Sequence, residues 1–232
     1  MSTRFNEDFE TVDAGLVPNP FDSVNVGAGN ALTAAAVGNP TQGLKIDFGG
    51  TSSTCYGRKN FSPTIKNAAG AVVIDFDLRV VDIGSATANS TTGLMTIHAV
   101  SGDIIYVRWK NLAGDVTGKI NVFMNLDGVG FDSTVILNEN TYYHIKLIIK
   151  RLSVKVYIDG ALQQNITAVA PIPAIDAVYC GTSVSSVVPS AAGEINEDNI
   201  VIRHNLNAGG SDGAGLGTSG IMEAASDIVM LL

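Results

Sequence analysis

Hydrophobic and polar residues alternate along two neighbouring stretches of the chain, residues 142–150 and 152–159. Successive side chains of a β-strand point to opposite faces, so a period of two predicts strands with one buried and one solvated face. The residues predicted to face the core are Tyr143, Ile145, Leu147, Ile149, Leu152, Val154, Val156 and Ile158. Asp159-Gly160 then favours a type I′ turn, in which both central residues have positive φ. Because Leu162 and Ile166 begin a return strand, the pattern predicts an antiparallel meander.

The same alternation recurs along most of residues 5–204, between clusters of Gly, Asn, Ser and Pro. Further strands are predicted at residues 54–61, 72–80, 93–100, 103–110, 119–126, 132–137, 176–184 and 195–204. Their spacing is typical of a two-sheet sandwich or a barrel. Residues 30–40 have a composition that allows a helical turn, which Gly38 and Pro40 would end. The fold class predicted for the chain is all-β.

Residues 205–232 differ in character from the rest, which predicts a domain at 1–204 and an arm at 205–232. A glycine-rich linker leads to an apolar segment, Ile221–Leu232, that would form a short helix or strand. In water an isolated helix of about 12–15 residues is marginal, so this segment is not expected to fold alone. Either the tail is disordered, or the segment docks on its own domain or on a neighbouring chain. The docking residues would be Ile221, Met222, Ile228, Val229 and Leu232.

Composition and charge narrow the function classes. The chain has 232 residues, of which 46% are hydrophobic and 16% charged, and this suits a large core. A formal net charge of −8 argues against binding to a nucleic-acid backbone. No apolar run resembles a signal peptide or a membrane span, so we expect synthesis in the cytosol and a place on a virion or particle surface. Cys55 and Cys180 could pair, but without a signal peptide two free, buried thiols are favoured.

Three segments resemble concanavalin A-like (laminin G-like) jelly-roll domains. Residues 6–18 are similar to their first strand, in which Phe-Glu precedes a glycine and a proline. Residues 141–162 are similar to their meander, in which an aromatic-His strand leads to Tyr-x-Asp-Gly, and residues 197–202 resemble their closing strand. The resemblance implies a two-sheet antiparallel jelly-roll sandwich over about residues 5–204. It leaves function open, because the family includes lectins, glucanases, adhesion modules and viral structural domains.

The resemblance also implies a calcium site. In many such jelly rolls a calcium ion lies where an N-terminal acidic residue meets the closing strand, and the matching positions are Glu10, Asp198 and Asn199. Calcium takes six to eight oxygen ligands, which carboxylates and backbone carbonyls supply. The alternative is that these side chains are solvated at the surface.

Catalytic motifs are weak in this sequence. The related glucanases carry Glu-x-Asp-x-Glu, and residues 194–198 replace the central acid with Asn196, so glycoside hydrolysis is not expected. His98, His144 and His204 have no Cys or acidic partners at ligand spacing, and zinc is not expected either. We expect a protein that is not an enzyme.

Aromatic residues could form a sugar-binding platform. Trp109 shares a predicted face with Ile105 and Val107, so it is expected in the core. Tyr142 and Tyr157 lie on the polar faces of adjacent predicted strands and could bind a ligand. The alternative is a cross-strand pair that stabilises the sheet.

These observations favour a non-catalytic structural or assembly protein, such as a virion decoration or appendage subunit, tethered to its neighbours by the C-terminal arm. Its partners would be other proteins of the assembly or copies of itself, with no nucleic acid and no membrane span. The alternative is a carbohydrate-binding, lectin-like module that binds a glycan and uses calcium.

Overall fold

The computed structural model describes residues 2–10, 15, 20–38, 42–49, 54–67, 70–83, 88–112, 116–183 and 192–205. The described residues contain β-strands and no helices, and all strand pairs are antiparallel. The strands form two eight-stranded sheets. The predicted all-β, two-sheet antiparallel sandwich is therefore confirmed.

The first sheet, called sheet I, contains the predicted meander and the closing strand. Its strands are β1 (Ser2–Glu7), β3 (Ala31–Ala35), β4 (Gly43–Gly49), β6 (Ala71–Asp82), β12 (Tyr142–Lys150), β13 (Ser153–Ile158), β14 (Ala161–Thr167) and β16 (Ala192–Asn205). They follow the order β14-β13-β12-β6-β16-β4-β3, and β1 also pairs with β16. The closing strand β16 thus lies inside the sheet, beside the longest of its neighbours, β6.

The second sheet, called sheet II, is built mostly from the middle of the chain. Its strands are β2 (Ser23–Val26), β5 (Cys55–Ile65), β7 (Thr91–Ala99), β8 (Gly102–Asn111), β9 (Thr117–Met124), β10 (Val129–Asp132), β11 (Leu137–Asn138) and β15 (Ile175–Thr182). They follow the order β10-β9-β8-β7-β15-β5-β2, and β11 also pairs with β9. Strand β15 brings a distant part of the chain between β7 and β5.

The meander forms as its alternation predicts. On β12 and β13 the residues at Ile145, Leu147, Ile149, Val154, Val156 and Ile158 are buried. The turn residues Asp159 and Gly160 have φ of 49° and 77°, as a type I′ turn requires. Local turn chemistry and the burial of one face therefore specify the same register.

The core lies between the two sheets and includes the predicted Trp109, which is 1% exposed. Its indole nitrogen donates a hydrogen bond to Oδ1 of Asn111 at 2.7 Å, so the ring is buried without an unsatisfied donor. Gly118 lies against this ring, and a Cβ there would come within 2.2 Å of it. The large side chain and the glycine fit each other.

Two local predictions differ from the structure. The stretch at residues 30–40 contains strand β3 instead of a helical turn, because Leu32 and Ala34 face the core beside β4. Tertiary burial outweighs the helix propensity of its alanines. The strand predicted at 132–137 is interrupted, with β10 ending at Asp132 and β11 beginning at Leu137.

The two cysteines are free and buried. They lie on neighbouring strands, but the register sets Cys55 opposite Thr182 and Cys180 opposite Gly57, so the two are not directly paired. Burial, the larger cause, and the charge of Asp47, the smaller, together raise the pKa of the Cys55 thiol to about 12. Both thiols are therefore structural and unreactive.

Asn205 is the last residue of β16, and the predicted arm beyond it, with Ile221, Met222, Ile228, Val229 and Leu232, lies outside the described residues. Within the described ranges no helix has the length and apolarity needed to cross a membrane.

One ionisable group is enclosed in the core. Glu197 of β16 is 0% exposed and lies opposite Leu44 and Leu78, so its side chain points between the sheets. Neither carboxyl oxygen makes a well-formed hydrogen bond to the described residues. Burial raises the pKa of Glu197 well above its ordinary value, and the nearby Gly181 N–H opposes this shift only in part. The group is therefore protonated in the folded protein well above the pH at which an exposed carboxyl ionises.

Replacement of this carboxyl should change how stability depends on pH. The folded state retains a proton that the unfolded state loses, so stability falls by about 1.4 kcal/mol per pH unit as the pH rises from the unfolded pKa towards the folded one. Glu197→Gln removes this slope, and the variant should exceed the wild type in stability at neutral and alkaline pH. Denaturant unfolding from about pH 5 to pH 9 measures the effect. Glu194→Gln on the outer face of β16 is the control, and equal slopes for wild type and Glu197→Gln would contradict the prediction.

Candidate functional site

The solvent face of sheet II carries a concentration of aromatic rings and guanidinium groups. Strand β8 shows how the sequence produces it: Ile105, Val107 and Trp109 are buried in the core, and Tyr106 and Arg108 alternate with them towards solvent. Neighbouring strands contribute similar residues to this face. We call the set the aromatic–arginine band: Tyr56, Arg58, His98, Tyr106, Arg108, Phe123 and Tyr179.

Cross-strand register brings the band together from five strands. Arg58 of β5 lies opposite Tyr179 of β15, and Tyr179 lies opposite Thr96 of β7. Thr96 lies opposite Tyr106 of β8, which lies opposite Phe123 of β9. Because neighbouring strands are about 4.8 Å apart, this line spans about 19 Å perpendicular to the strands.

The two arginines are held against aromatic rings. The Arg58 guanidinium carbon lies 5.1 Å from the centroid of the Tyr179 ring. Arg108 lies 4.2 Å from the Phe123 centroid and 5.1 Å from the Tyr106 centroid, and these two rings stack at 6.0 Å. Such cation–π contacts fix the planar guanidinium groups without using their N–H donors.

Neither guanidinium forms an ion pair with a carboxylate among the described residues, although other cations of the protein do. The Nε atoms of Arg58 and Arg108 are buried and have no hydrogen-bond partner in the described part of the chain. Burial lowers the pKa of Arg108 from its ordinary value, but an arginine stays charged at neutral pH. The band therefore holds two fixed positive charges with donors available to an anion.

A histidine and a carboxylate lie at the edge of the band. The His98 ring contacts Tyr179 edge-on at 5.6 Å between centroids, and His98 Nδ1 lies 2.6 Å from Oδ1 of Asp176. An ionised carboxylate can only accept, so His98 Nδ1 donates the hydrogen in this contact. Tyr56 packs edge-on against Tyr179 at 5.0 Å and closes the other side of that ring.

Burial keeps two tyrosines of the band protonated. It raises the pKa of Tyr179 and of Tyr106 above their ordinary value. The Tyr106 hydroxyl donates to Oδ2 of Asp103 at 3.4 Å. Burial also raises the pKa of Asp103, and interactions with His98, Tyr106 and Arg58 oppose this shift. The site thus combines an imidazole, phenolic proton donors and two guanidinium groups.

The predicted ligand-binding tyrosines lie on sheet I and are not neighbours. Tyr142 lies opposite Arg79, whose guanidinium carbon is 5.1 Å from the ring centroid, and Tyr157 lies opposite Lys146. Tyr142 and Lys146 are four residues apart on β12, which is about 13 Å. The structure therefore separates the two rings along the sheet, and their role in ligand binding stays a prediction.

The predicted calcium ligands come from segments that the fold brings near each other, since β1 pairs with β16. Asp198 is 1% exposed, Asn199 donates from Nδ2 to Oδ2 of Asp77 at 2.9 Å, and Oε1 of Glu10 accepts from the Gln42 amide at 3.0 Å. No three His, Cys, Asp or Glu side chains converge on a metal position within the described ranges. Calcium at Glu10, Asp198 and Asn199 stays a prediction, and the site on sheet II does not depend on it.

On the solvent face of sheet I some charges are paired, whereas Arg79 is stacked on Tyr142 and, like Arg58 and Arg108, forms no ion pair among the described residues. His144 Nδ1 lies 2.9 Å from Oδ1 of Asp77, and Arg203 lies 2.7 Å from Oδ2 of Asp75. Hydrogen bonds raise the pKa of His144 to about 9, with the bond to Asp75 contributing most and the bond to Asp77 next. These four groups neutralise one another, so this face has one stacked guanidinium without an ion pair, Arg79, where the band has two.

Comparisons with known proteins add a likeness of fold. No family model matches the sequence, and no curated protein is significantly similar to it. Among solved structures, the cellulose-induced protein Cip1 is similar with a TM-score of 0.62 at 13% identity, over 86% of this chain and 97% of that one. The alginate lyase Aly36B, solved as a mutant in complex with an alginate tetrasaccharide, has a TM-score of 0.60 at 11% identity over 86% and 96%. The alginate lyase AlyA1 from Zobellia galactanivorans has a TM-score of 0.58 at 12% identity over 88% and 93%.

The chain therefore has a concanavalin A-like jelly-roll sandwich fold, and the resemblance seen in the sequence is confirmed. The expectation of a non-catalytic virion decoration or appendage subunit is corrected by the same comparison. Structures that share the fold over most of this chain include alginate lyases and Cip1, which favour the carbohydrate-binding alternative. The expectation that the protein is not an enzyme is also corrected, because several of these structures are lyases.

Sequence reasoning missed the band for a physical reason. Asp176 is 78 residues from His98, and Tyr179 is joined to Arg58 only through the pairing of β15 with β5. The search for acidic partners of His98 at short sequence spacing could not find either contact. One sequence pattern could have indicated it: in the strand that carries Trp109, Tyr106 and Arg108 alternate with the core residues and so point to solvent.

Proposed function

We propose that this protein binds an acidic polysaccharide, one that contains uronate sugars, on the solvent face of sheet II. The observation that carries the proposal is the pair of stacked guanidinium groups, Arg58 and Arg108, that have no carboxylate partner among the described residues. Guanidinium groups match carboxylates in planar, bidentate geometry. The similar alginate lyase Aly36B was solved in complex with an alginate tetrasaccharide, which supports this class of ligand.

The rest of the band suits the same ligand. A sugar ring has apolar C–H faces and polar hydroxyl edges, and binding sites for such molecules combine aromatic surface with a few polar groups. Tyr56, Tyr106 and Phe123 are partly exposed and supply the aromatic surface. Because the net charge of the chain is −8, attraction of a polyanion has to come from these local cations, and it should weaken with salt.

Binding should depend on the two arginines of the band. We expect Arg58→Ala and Arg108→Ala each to weaken binding of an oligouronate by about 10- to 100-fold, because each removes charge-assisted hydrogen bonds of about 1.5–3 kcal/mol. Isothermal titration calorimetry with oligouronates and with uncharged oligosaccharides of equal length measures the effect. Arg79→Ala is the matched control, since Arg79 makes the same 5.1 Å contact with a tyrosine on sheet I.

Two outcomes would contradict the proposal. One is equal affinity for charged and uncharged oligosaccharides. The other is an unchanged affinity in both band variants when their melting temperatures show that they remain folded.

A second candidate function is cleavage of the bound polymer by β-elimination, and the His98–Asp176 pair favours it. Arg58 would neutralise the uronate carboxylate, which makes the C–H on the adjacent carbon more acidic. His98 Nε2 would take that proton, and the C–H electrons would form a C=C bond as the C–O bond to the next sugar breaks. Tyr179, protonated and 5.6 Å from the His98 ring between centroids, would give its proton to the leaving oxygen.

Elimination predicts an unsaturated product that absorbs in the ultraviolet. We expect His98→Ala to lower the rate by about 10²- to 10⁴-fold while binding persists, because it removes the general base. His144→Ala on sheet I is the matched control, since His144 also pairs with an aspartate. If the wild type binds oligouronates but forms no unsaturated product, elimination is wrong and binding stands.

A further inference from the structure

The two sheets meet along one side of the sandwich, where β10 of sheet II lies beside β14 of sheet I. Hydrogen bonds tie this side together at both ends. The Thr134 hydroxyl and the Val135 amide donate to Oε1 of Gln163 at 2.6 and 3.1 Å, and the Val169 amide donates to Oδ2 of Asp127 at 3.0 Å. We call this region the β10–β14 side.

Large hydrophobic side chains are exposed along the β10–β14 side. Three of them lie together at the end where Val169 bonds to Asp127: Val169 is 87% exposed, Val129 46% and Leu126 41%. Single exposed hydrophobic residues are ordinary, but a group on one side of a domain marks an interaction surface. Among the described strands, β14 is also an edge strand of sheet I.

The C-terminal end of β16 lies close enough to this side for the chain that follows it to reach it. Asn205 pairs with Ala71, and the neighbouring row runs from His204 through Val72, Ile149 and Val154 to Ile166 of β14. Four strand spacings of about 4.8 Å separate β16 from β14, which is about 19 Å. A flexible glycine-rich chain of 15 residues, the length of residues 206–220, would have a root-mean-square end-to-end distance of about 19–23 Å. A linker whose coil length matches the span gives the highest effective concentration of what it carries.

We propose that the segment Ile221–Leu232 docks on the β10–β14 side of its own chain. The segment carries Ile221, Met222, Ile228, Val229 and Leu232, and it is too short to fold by itself in water. Docking covers apolar surface on both partners, which is the driving force for the contact. This site lies on the side of the sandwich and does not depend on the carbohydrate site.

Hydrogen exchange of the full-length protein tests this docking. In the wild type, the backbone amides of residues 221–232 should exchange more slowly than those of an unstructured peptide, by about tenfold or more. Val169→Asp should restore fast exchange, because it places a charge in the docking surface. Val116→Asp is the matched control: Val116 is 62% exposed and lies at the opposite end of β9 from the turn that contains Leu126.

Three results would overturn the proposal. The segment could exchange at the unstructured rate in the wild type, or Val169→Asp and Val116→Asp could show equal protection. Protection that rises with protein concentration, together with a doubled mass in solution, would assign the surface to a second copy of the chain.

Discussion

The pairing of β15 with β5 and β7 is the constraint on which the candidate site depends. This strand comes from residues 175–182 and enters sheet II between strands that are 70 or more residues earlier in the chain. Its inward residues, Val178 and Cys180, are buried, and this burial fixes which face Tyr179 occupies. A shift of one residue would move Tyr179 into the core, so the register that packs the sandwich also positions the band.

The two solvent faces of the sandwich differ in the number of stacked arginines without an ion pair among the described residues, which is one on sheet I, Arg79, and two on sheet II. On sheet I, His144 and Arg203 are bonded to Asp77 and Asp75, and the groups satisfy one another. On sheet II, Arg58 and Arg108 rest on aromatic rings, which hold the guanidinium groups in place and leave N–H donors for a ligand. An acidic protein can in this way present a local cationic surface to an acidic polymer.

The fold was largely predictable from the sequence, because alternation and turn chemistry are local. The meander at 142–166, the Asp159-Gly160 turn and the burial of Trp109 all follow from residues within a few positions of each other. Strand β3 was missed because packing of Leu32 and Ala34 against β4 overrides the preference of an alanine-rich segment. The local composition that allowed a helical turn there carries no information about the neighbouring strand.

The site was less predictable, because its contacts join residues that are far apart in the chain. A glucanase pattern at 194–198 and metal ligands at short spacing are local sequence features, whereas the band is built from five strands. Even Glu197, which belongs to the closing-strand motif, has a role set by the opposite sheet, since its carboxyl is enclosed beside Cys180 and Gly181. Such features follow from tertiary register and burial.

The most direct test of the central claim is a map of where an acidic oligosaccharide binds. Backbone amide chemical shifts of the full-length protein can be followed during titration with an oligouronate. Binding at the aromatic–arginine band should produce the largest changes on β5, β7, β8 and β15, around Arg58, His98, Tyr106 and Tyr179. Saturable binding with the largest changes on β6, β12 and β16 of sheet I would contradict it.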